Sequence, residues 1–306
     1  MNHNESSGSP GDRLTRRAAV GKIAGASALA AIAATGLSAT RAAGYPLHAS
    51  STSIRKGNTM IDATPDAKRA PLTVVLVHGA FADASGWAGV IELLQEAGVT
   101  VTAPPNLLRG VAEDSAYIAS ALSQIAGPVL VVGHSYGGMV ISNAATNAAN
   151  AVGLVYVAGF APEEGESLTD IEGDSRDSVL GTSLLPLMYP TGEGAETAVE
   201  LVINPMFFHE AFAADLPMKT TAAMSAFQRP AAELAFSEKC GVPAWKTLPS
   251  WAVVPTGDKA AGTDVLRTMA TRAGAKITEI EGSHAIMISQ PQAVADVIFS
   301  AIASVS

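Results

Sequence analysis

VLVVGHSYGGMV occupies residues 129–140. A continuous apolar run stops at Gly133. Ser135 follows, held between His134 and Tyr136, and Gly137 and Gly138 come next. Short valine-rich runs that end at glycine suit strands buried on both faces of a parallel sheet. The small residues after it, 138–150, have the spacing of a helix. The stretch therefore reads as a strand that turns sharply into a helix, with a serine on the corner. A simple turn with a capping serine is the plainer reading of the same letters.

The rest of the chain repeats that alternation. LTVVLVHG (72–79) is a first strand candidate and VTVTAP (99–104) a second. PVLVVG (128–133) is the third and VGLVYVAG (152–159) the fourth. SWAVVPTG (250–257) and KITEIEG (276–282) are the fifth and sixth. Helical spacing appears at 86–97, 112–126, 138–150, 263–273 and 291–303. Regular strand–helix alternation implies right-handed crossovers and helices on both faces of the sheet. The expected fold class is α/β, a mostly parallel doubly wound sheet. Residues 161–248 break the pattern with Gly and Pro punctuation and short apolar clusters. A structureless loop of that length is implausible in a compact domain. It is expected to be a helical cap inserted between the fourth and fifth recognisable strands.

Composition narrows the classes of function. The chain has 306 residues, 48% hydrophobic and 15% charged, enough for a large core. The formal net charge is −9. Residues 1–43 carry five basic and two acidic residues, leaving the remainder at −12. An acidic body without a basic stripe speaks against nucleic-acid binding. Cys240 is the only cysteine, so no internal disulfide and no cysteine-based metal site is expected. It reads as a quiet buried thiol.

The first residues read as an address. Arg16 and Arg17 precede a run rich in Ala and Gly, with small residues at 40–43. That is the layout of a cleavable export signal, and the arginine pair resembles a twin-arginine leader. Ala19 replaces the usual bulky residue. The competing reading is a membrane anchor, but Ala, Gly, Ser and Lys22 contribute little to insertion. The expected division is an export signal over 1–43, a linker over 44–70 and one catalytic domain over 71–306. An exported protein without a stable membrane anchor follows.

Chemistry in open parallel sheets collects at the carboxyl ends of strands. Ser135, His78, Asp258 and His284 all fall there. Gly133-His134-Ser135-Tyr136-Gly137 matches G-x-S-x-G, in which tiny neighbours at minus two and plus two let a strained turn expose the serine. A serine hydroxyl needs a base to become a nucleophile. His284, after the last strand, can serve. An acid must then fix the imidazole tautomer, and Asp258 sits in the loop after the fifth strand. Asp264, Glu163 and Glu164 are rival acids. Asp264 reads instead as a capping charge in the next helix. The oxyanion of a tetrahedral intermediate needs N–H donors. Tyr136 offers one and Ala80 the other, with Phe81 as the alternative. His78 reads as a structural hydrogen-bonding residue before a second base. His209 in the cap faces either substrate or solvent.

VLVHGAFADASGW, VVGHSYGGMV, PTGDKAAG and EGSHAIMISQP together resemble the α/β-hydrolase superfamily. Within it they look most like the small-esterase and hydroxynitrile-lyase branch, over about residues 72–303. The cap pieces NPMFFHEAF and FQRPAAELAF belong to the likeness. The resemblance implies a cofactor-free serine enzyme with a capped pocket, in which Ser135, Asp258 and His284 are the triad. It also implies that a lyase would carry a lysine directly after the histidine. Here Ala285 stands there, which favours ester hydrolysis. Phe207, Phe208, Phe212, Met188, Met206, Leu184 and Leu187 make the cap apolar. Most of these are expected in the cap's own core. His78, Phe81, Phe207, Phe208 and Met188 are the candidate pocket residues. The expected substrate is a small or medium uncharged ester with an apolar part. A lyase on the same scaffold and a non-catalytic binding protein are the alternatives.

Overall fold

The computed structural model describes residues 70–192 and 194–306. These all lie in one compact unit, Ile61–Ser306. The expected export signal and linker lie outside the described residues, save Ala70.

Six parallel strands form the main sheet. They are β1 (Thr73–Val77), β2 (Thr100–Thr102), β3 (Val129–His134), β4 (Ala151–Val157), β8 (Ser250–Pro255) and β9 (Lys276–Ile280), in the spatial order β2-β1-β3-β4-β8-β9. The intervening strands are β5 (Leu184–Pro190), β6 (Thr197–Ile203) and β7 (Ala231–Ala232). Every residue of β1, β3 and β8 is buried, as their unbroken apolar runs require. The outermost strands β2 and β9 are shorter on apolar residues and partly exposed.

Helix α1 (Ala88–Glu96) carries the chain from β1 outward to β2. Helix α2 (Val111–Ser123) then returns it past β1 to β3, and α3 (Tyr136–Ala144) carries it on to β4. The direction of travel reverses at β1. Right-handed crossovers therefore place α1 on one face and α2 and α3 on the other. Of the later helices, α9 (Thr263–Arg272) joins β8 to β9, α10 (Ile286–Ser289) follows β9, and α11 (Pro291–Val305) packs beside α1. Reversal opens a crevice at the carboxyl ends of β1 and β3, the usual ligand position in such sheets.

The cap corrects one expectation. It does hold helices: α4 (Leu168–Gly173), α5 (Leu180–Ser183), α6 (Phe208–Phe212), α7 (Met218–Phe227) and α8 (Glu233–Ser237). It also holds a three-stranded antiparallel sheet, β5-β6-β7. LLPLMYP is strand β5, although Pro186 and Pro190 read as breakers. β5 lies at an edge of that sheet, where a residue without an N–H is tolerated.

Candidate active site

Ser135 sits between β3 and α3 with φ 53° and ψ −127°. This left-handed backbone costs a non-glycine residue about 1–3 kcal/mol. The surrounding backbone holds it there. Ser135 N–H donates to Val157 O at 3.3 Å, and its carbonyl accepts from Gly138 at 2.8 Å and Phe160 at 3.1 Å. Two glycines make the corner sterically feasible. A Cβ at Gly133 would come within 2.6 Å of Gly137 O, and one at Gly137 within 2.6 Å of Val77 O. The turn is thus packed backbone against backbone on both sides. It aims the start of α3, with its exposed N–H groups, toward the serine, which favours developing negative charge.

His284 and Asp258 meet across 26 residues of sequence. His284 Nδ1 lies 2.6 Å from Asp258 Oδ2, with both side chains buried. Asp258 Oδ1 accepts from the N–H groups of Ala260 (3.0 Å), Ala261 (2.9 Å) and Gly262 (3.3 Å). Three backbone donors therefore fix one oxygen and leave the other to the imidazole. Nδ1 carries the proton in that arrangement, and Nε2 is left as the acceptor. Ser135 and His284 line the same small cavity, together with Ala80, Phe81 and Tyr136. A serine hydroxyl and an imidazole thus border one space, with Asp258 behind the imidazole.

The rival acids are engaged elsewhere. Glu163 pairs with Lys246, and Glu164 is exposed. Asp264 does lie in the first turn of α9, but its carboxylate accepts from Ser175 Oγ (2.7 Å) and Arg176 N (2.8 Å), so it ties the cap to that helix.

Three histidines have structural partners. His78 Nδ1 donates to Gly79 O at 2.9 Å, and its Nε2 accepts from Asn106 N–H at 3.0 Å. It is buried and does not line the cavity, contrary to its place among the candidate pocket residues. It fastens the loop that carries Ala80 and Phe81 to the loop after β2. Burial, above all, keeps it easier to deprotonate than usual. His209 bonds Thr221 Oγ1 within the cap. His134, which sequence reasoning passed over, donates Nε2–H to the carbonyl of His284 at 3.0 Å, and the two rings lie 4.7 Å apart. Complete burial lowers its pKa well below the usual range, so it braces His284 as a neutral group.

Tyr136 has two separate duties. It lines the cavity, while its hydroxyl donates to buried Asp114 Oδ2 at 2.7 Å. Burial first, then the charge of Asp114, push the phenol well above its usual pKa, so it remains a proton donor. Cys240 is buried, accepts from Asn143 Nδ2 at 3.1 Å and has its pKa pushed up to about 11, chiefly by burial.

The apolar wall also departs from expectation. Phe81 lines the cavity; Phe207, Phe208 and Met188 do not. Met188 faces outward from the edge strand β5 and is 61% exposed, and Phe207 is 40% exposed. Phe208 is buried within the cap, its ring 5.2 Å from that of Phe212. The side chains that close the cavity are Phe160, Leu168, Glu172, Leu180, Phe212 and Phe236. Phe212 lies 5.0 Å from the His284 ring. One signal for this wall was local. In SLTDIEG the Ser167–Asp170 capping box starts α4. Leu168 and Glu172, four residues apart, then share a face.

The cavity at the serine measures about 10 Å³. Beside it lies an outer cleft of about 560 Å³ between α4, α5 and α8, and Glu172 and Phe236 line both. Among the described residues no cluster of three or more His, Cys, Asp or Glu is arranged to hold a metal ion, and no helix is long and apolar enough to cross a membrane.

No curated protein sequence matches the chain. Among solved structures, polyneuridine aldehyde esterase is similar at 22% identity and a TM-score of 0.64, covering 76% of this chain and 99% of its own. Tomato methylketone synthase I, complexed with 2-tridecanone, is similar at 21% identity and a TM-score of 0.65, covering 78% and 100%. A pyrethroid hydrolase from Sphingobium faniae JZ-2 is similar at 19% identity and a TM-score of 0.64, covering 77% and 98%. At such identities the likeness concerns the fold. The sequence profile described as "Alpha/beta hydrolase family" matches residues 74–297. With its sheet order, its strained serine corner and most of its length inside that match, this chain belongs to the α/β hydrolase family.

Proposed function

We propose that the protein is a serine carboxylesterase that cleaves small or medium, mostly apolar esters through an acyl-enzyme. The carrying observation is that His284, held at 2.6 Å by buried Asp258, lines one cavity with Ser135 on its strained corner. The name of polyneuridine aldehyde esterase, among the similar folds, supports the ester reading.

Ser135 Oγ attacks the ester carbonyl carbon as His284 Nε2 takes its proton. Asp258 holds the Nδ1 proton in place and balances the imidazolium that forms. The Tyr136 and Ala80 N–H groups hold the oxyanion, with Phe81 as the alternative second donor. Each such donor is worth about 10²–10³ in turnover. The tetrahedral intermediate collapses, the alkoxide leaves with the His284 proton, and the acyl group remains on Ser135. Water then attacks that carbonyl, giving its proton to His284, which returns it to Ser135 Oγ as the acid departs.

The wall of Phe81, Phe160, Phe212 and Phe236 suits an apolar acyl part. A cavity of about 10 Å³ admits about one water, so a larger acyl group requires Phe236 or Leu180, on cap helices, to give way. No lysine or arginine lines the cavity, and Ala285, buried, donates its N–H to Phe212 O. Nothing cationic is thus placed to receive a departing cyanide, which favours hydrolysis over the lyase alternative.

Short p-nitrophenyl esters test the reading. Ser135→Ala lowers turnover by at least about 10⁴-fold and abolishes labelling by a fluorophosphonate. Turnover unchanged in this variant would overturn it. Export by a twin-arginine route is proposed separately on Arg16 and Arg17. Replacing both by lysine traps precursor in the cytoplasm, and continued export would point to another route.

A further inference from the structure

The mechanism gives Glu172 no task, yet it stands between the catalytic cavity and the outer cleft and lines both. Part of the residue is open to the cleft, while its Oε1 is sealed from solvent and has no hydrogen-bond partner among the described residues. A buried polar oxygen without a partner is costly, and buried carboxyls are ordinarily paired. No lysine or arginine lines either space. The charged or titratable residues lining them are Glu172, Glu233, His284 and Tyr136, whose hydroxyl is taken by Asp114, with Asp258 close enough to act on Glu172 through its charge. Burial first, then the Asp258 charge, push the Glu172 pKa up to about 8. A leucine at this place would satisfy the apolar face that Leu168 begins. The fold keeps a carboxyl there instead, on a residue that lines both the space beside Ser135 and the outer cleft.

We propose that Glu172 is a specificity-determining residue, which accepts a hydrogen bond from a hydroxyl or ammonium group on the part of the ester that runs from Ser135 into the outer cleft. This rests on the hydrolase reading. Its substrates are therefore esters with a second, donor-bearing end. Phe236, shared by the two spaces, covers the apolar middle of such a molecule.

The test measures binding, so that it does not depend on turnover. Methyl esters of graded chain length, each ending in methyl, hydroxyl, ammonium or carboxylate, are titrated calorimetrically into Ser135→Ala protein. At the best length, the hydroxyl or ammonium ester binds about 10–100-fold tighter than its methyl counterpart. Adding Glu172→Leu removes that preference, and adding Glu172→Gln keeps it for hydroxyl and loses it for ammonium. Equal binding of methyl-ended and donor-ended esters, or a preference that survives Glu172→Leu, overturns the proposal. Relieved of an unpaired oxygen, Glu172→Leu melts about 2–4 °C higher than the parent. A lower melting temperature would instead assign the carboxyl to holding the cap together. Failure of wild type to hydrolyse any ester would count against the esterase reading and leave this binding result to stand or fall by itself.

Discussion

The parallel sheet and the cap inserted into it are both rich in apolar residues, but they bury them differently. Strands β1, β3 and β8 are buried along their whole lengths. Strand β5 in the cap leaves Leu187 44% and Met188 61% exposed. The groups proposed for chemistry follow the same division. Ser135, Asp258 and His284 all hang from sheet ends; backbone hydrogen bonds fix the first two, and Asp258 and His134 fix His284. The cap supplies Leu168, Glu172, Leu180, Phe212 and Phe236, side chains on short helices that shape the cavity. The ends of packed strands can hold reacting atoms to the tolerance that catalysis requires. A cap of short helices and an edge-exposed hairpin can change shape with less disturbance of the core, and so suits substrate selection.

Three substitutions press on that contrast, in falling order of effect. Asp258→Asn leaves a side-chain oxygen for the three backbone donors but turns an N–H toward His284 Nδ1, which forces the wrong tautomer. Esterase turnover should fall by about 10⁴-fold with KM little changed and the circular dichroism spectrum intact. A fall below tenfold would mean that another acid orients His284. Gly137→Ala places a methyl 2.6 Å from Val77 O, against backbone that cannot step aside. It should cost several kcal/mol of stability, more than the usual point substitution, read as a lower denaturant midpoint or loss of soluble protein. Wild-type stability here would show that the corner is looser than its packing. Met188→Ser, on the exposed face of β5, should change stability by no more than about 0.5 kcal/mol and leave kcat and KM alone. A large rise in KM would bring this face of the cap into the binding site and blur the division.

Much of the sheet could be read from the sequence because its central strands are buried on both faces and so appear as unbroken apolar runs. The observed β1, β3, β4 and β8 fall within one or two residues of the runs at 72–79, 128–133, 152–159 and 250–257. In the cap the same logic failed at LLPLMYP. A half-exposed edge strand tolerates two prolines, and its apolar residues do not signal burial. Phe207, Phe208 and Met188 were placed near substrate because they are large and apolar, whereas Phe208 serves the cap's own core and the other two face outward. Glu172 escaped notice for the converse reason, since a glutamate in a short surface helix ordinarily faces water.

By itself the sequence determined the strand and helix order, the glycines that let Ser135 occupy its corner, and the sequence order of Ser135, Asp258 and His284. These depend on neighbours along the chain, or on which loop follows which strand. Only the tertiary structure decided that His284 Nδ1 meets Asp258, that His134 braces His284 from behind, and that Phe212, Phe236 and Glu172 close the cavity. Those contacts join segments far apart in sequence, and whether a side chain is buried, paired or left without a partner is set by what packs against it.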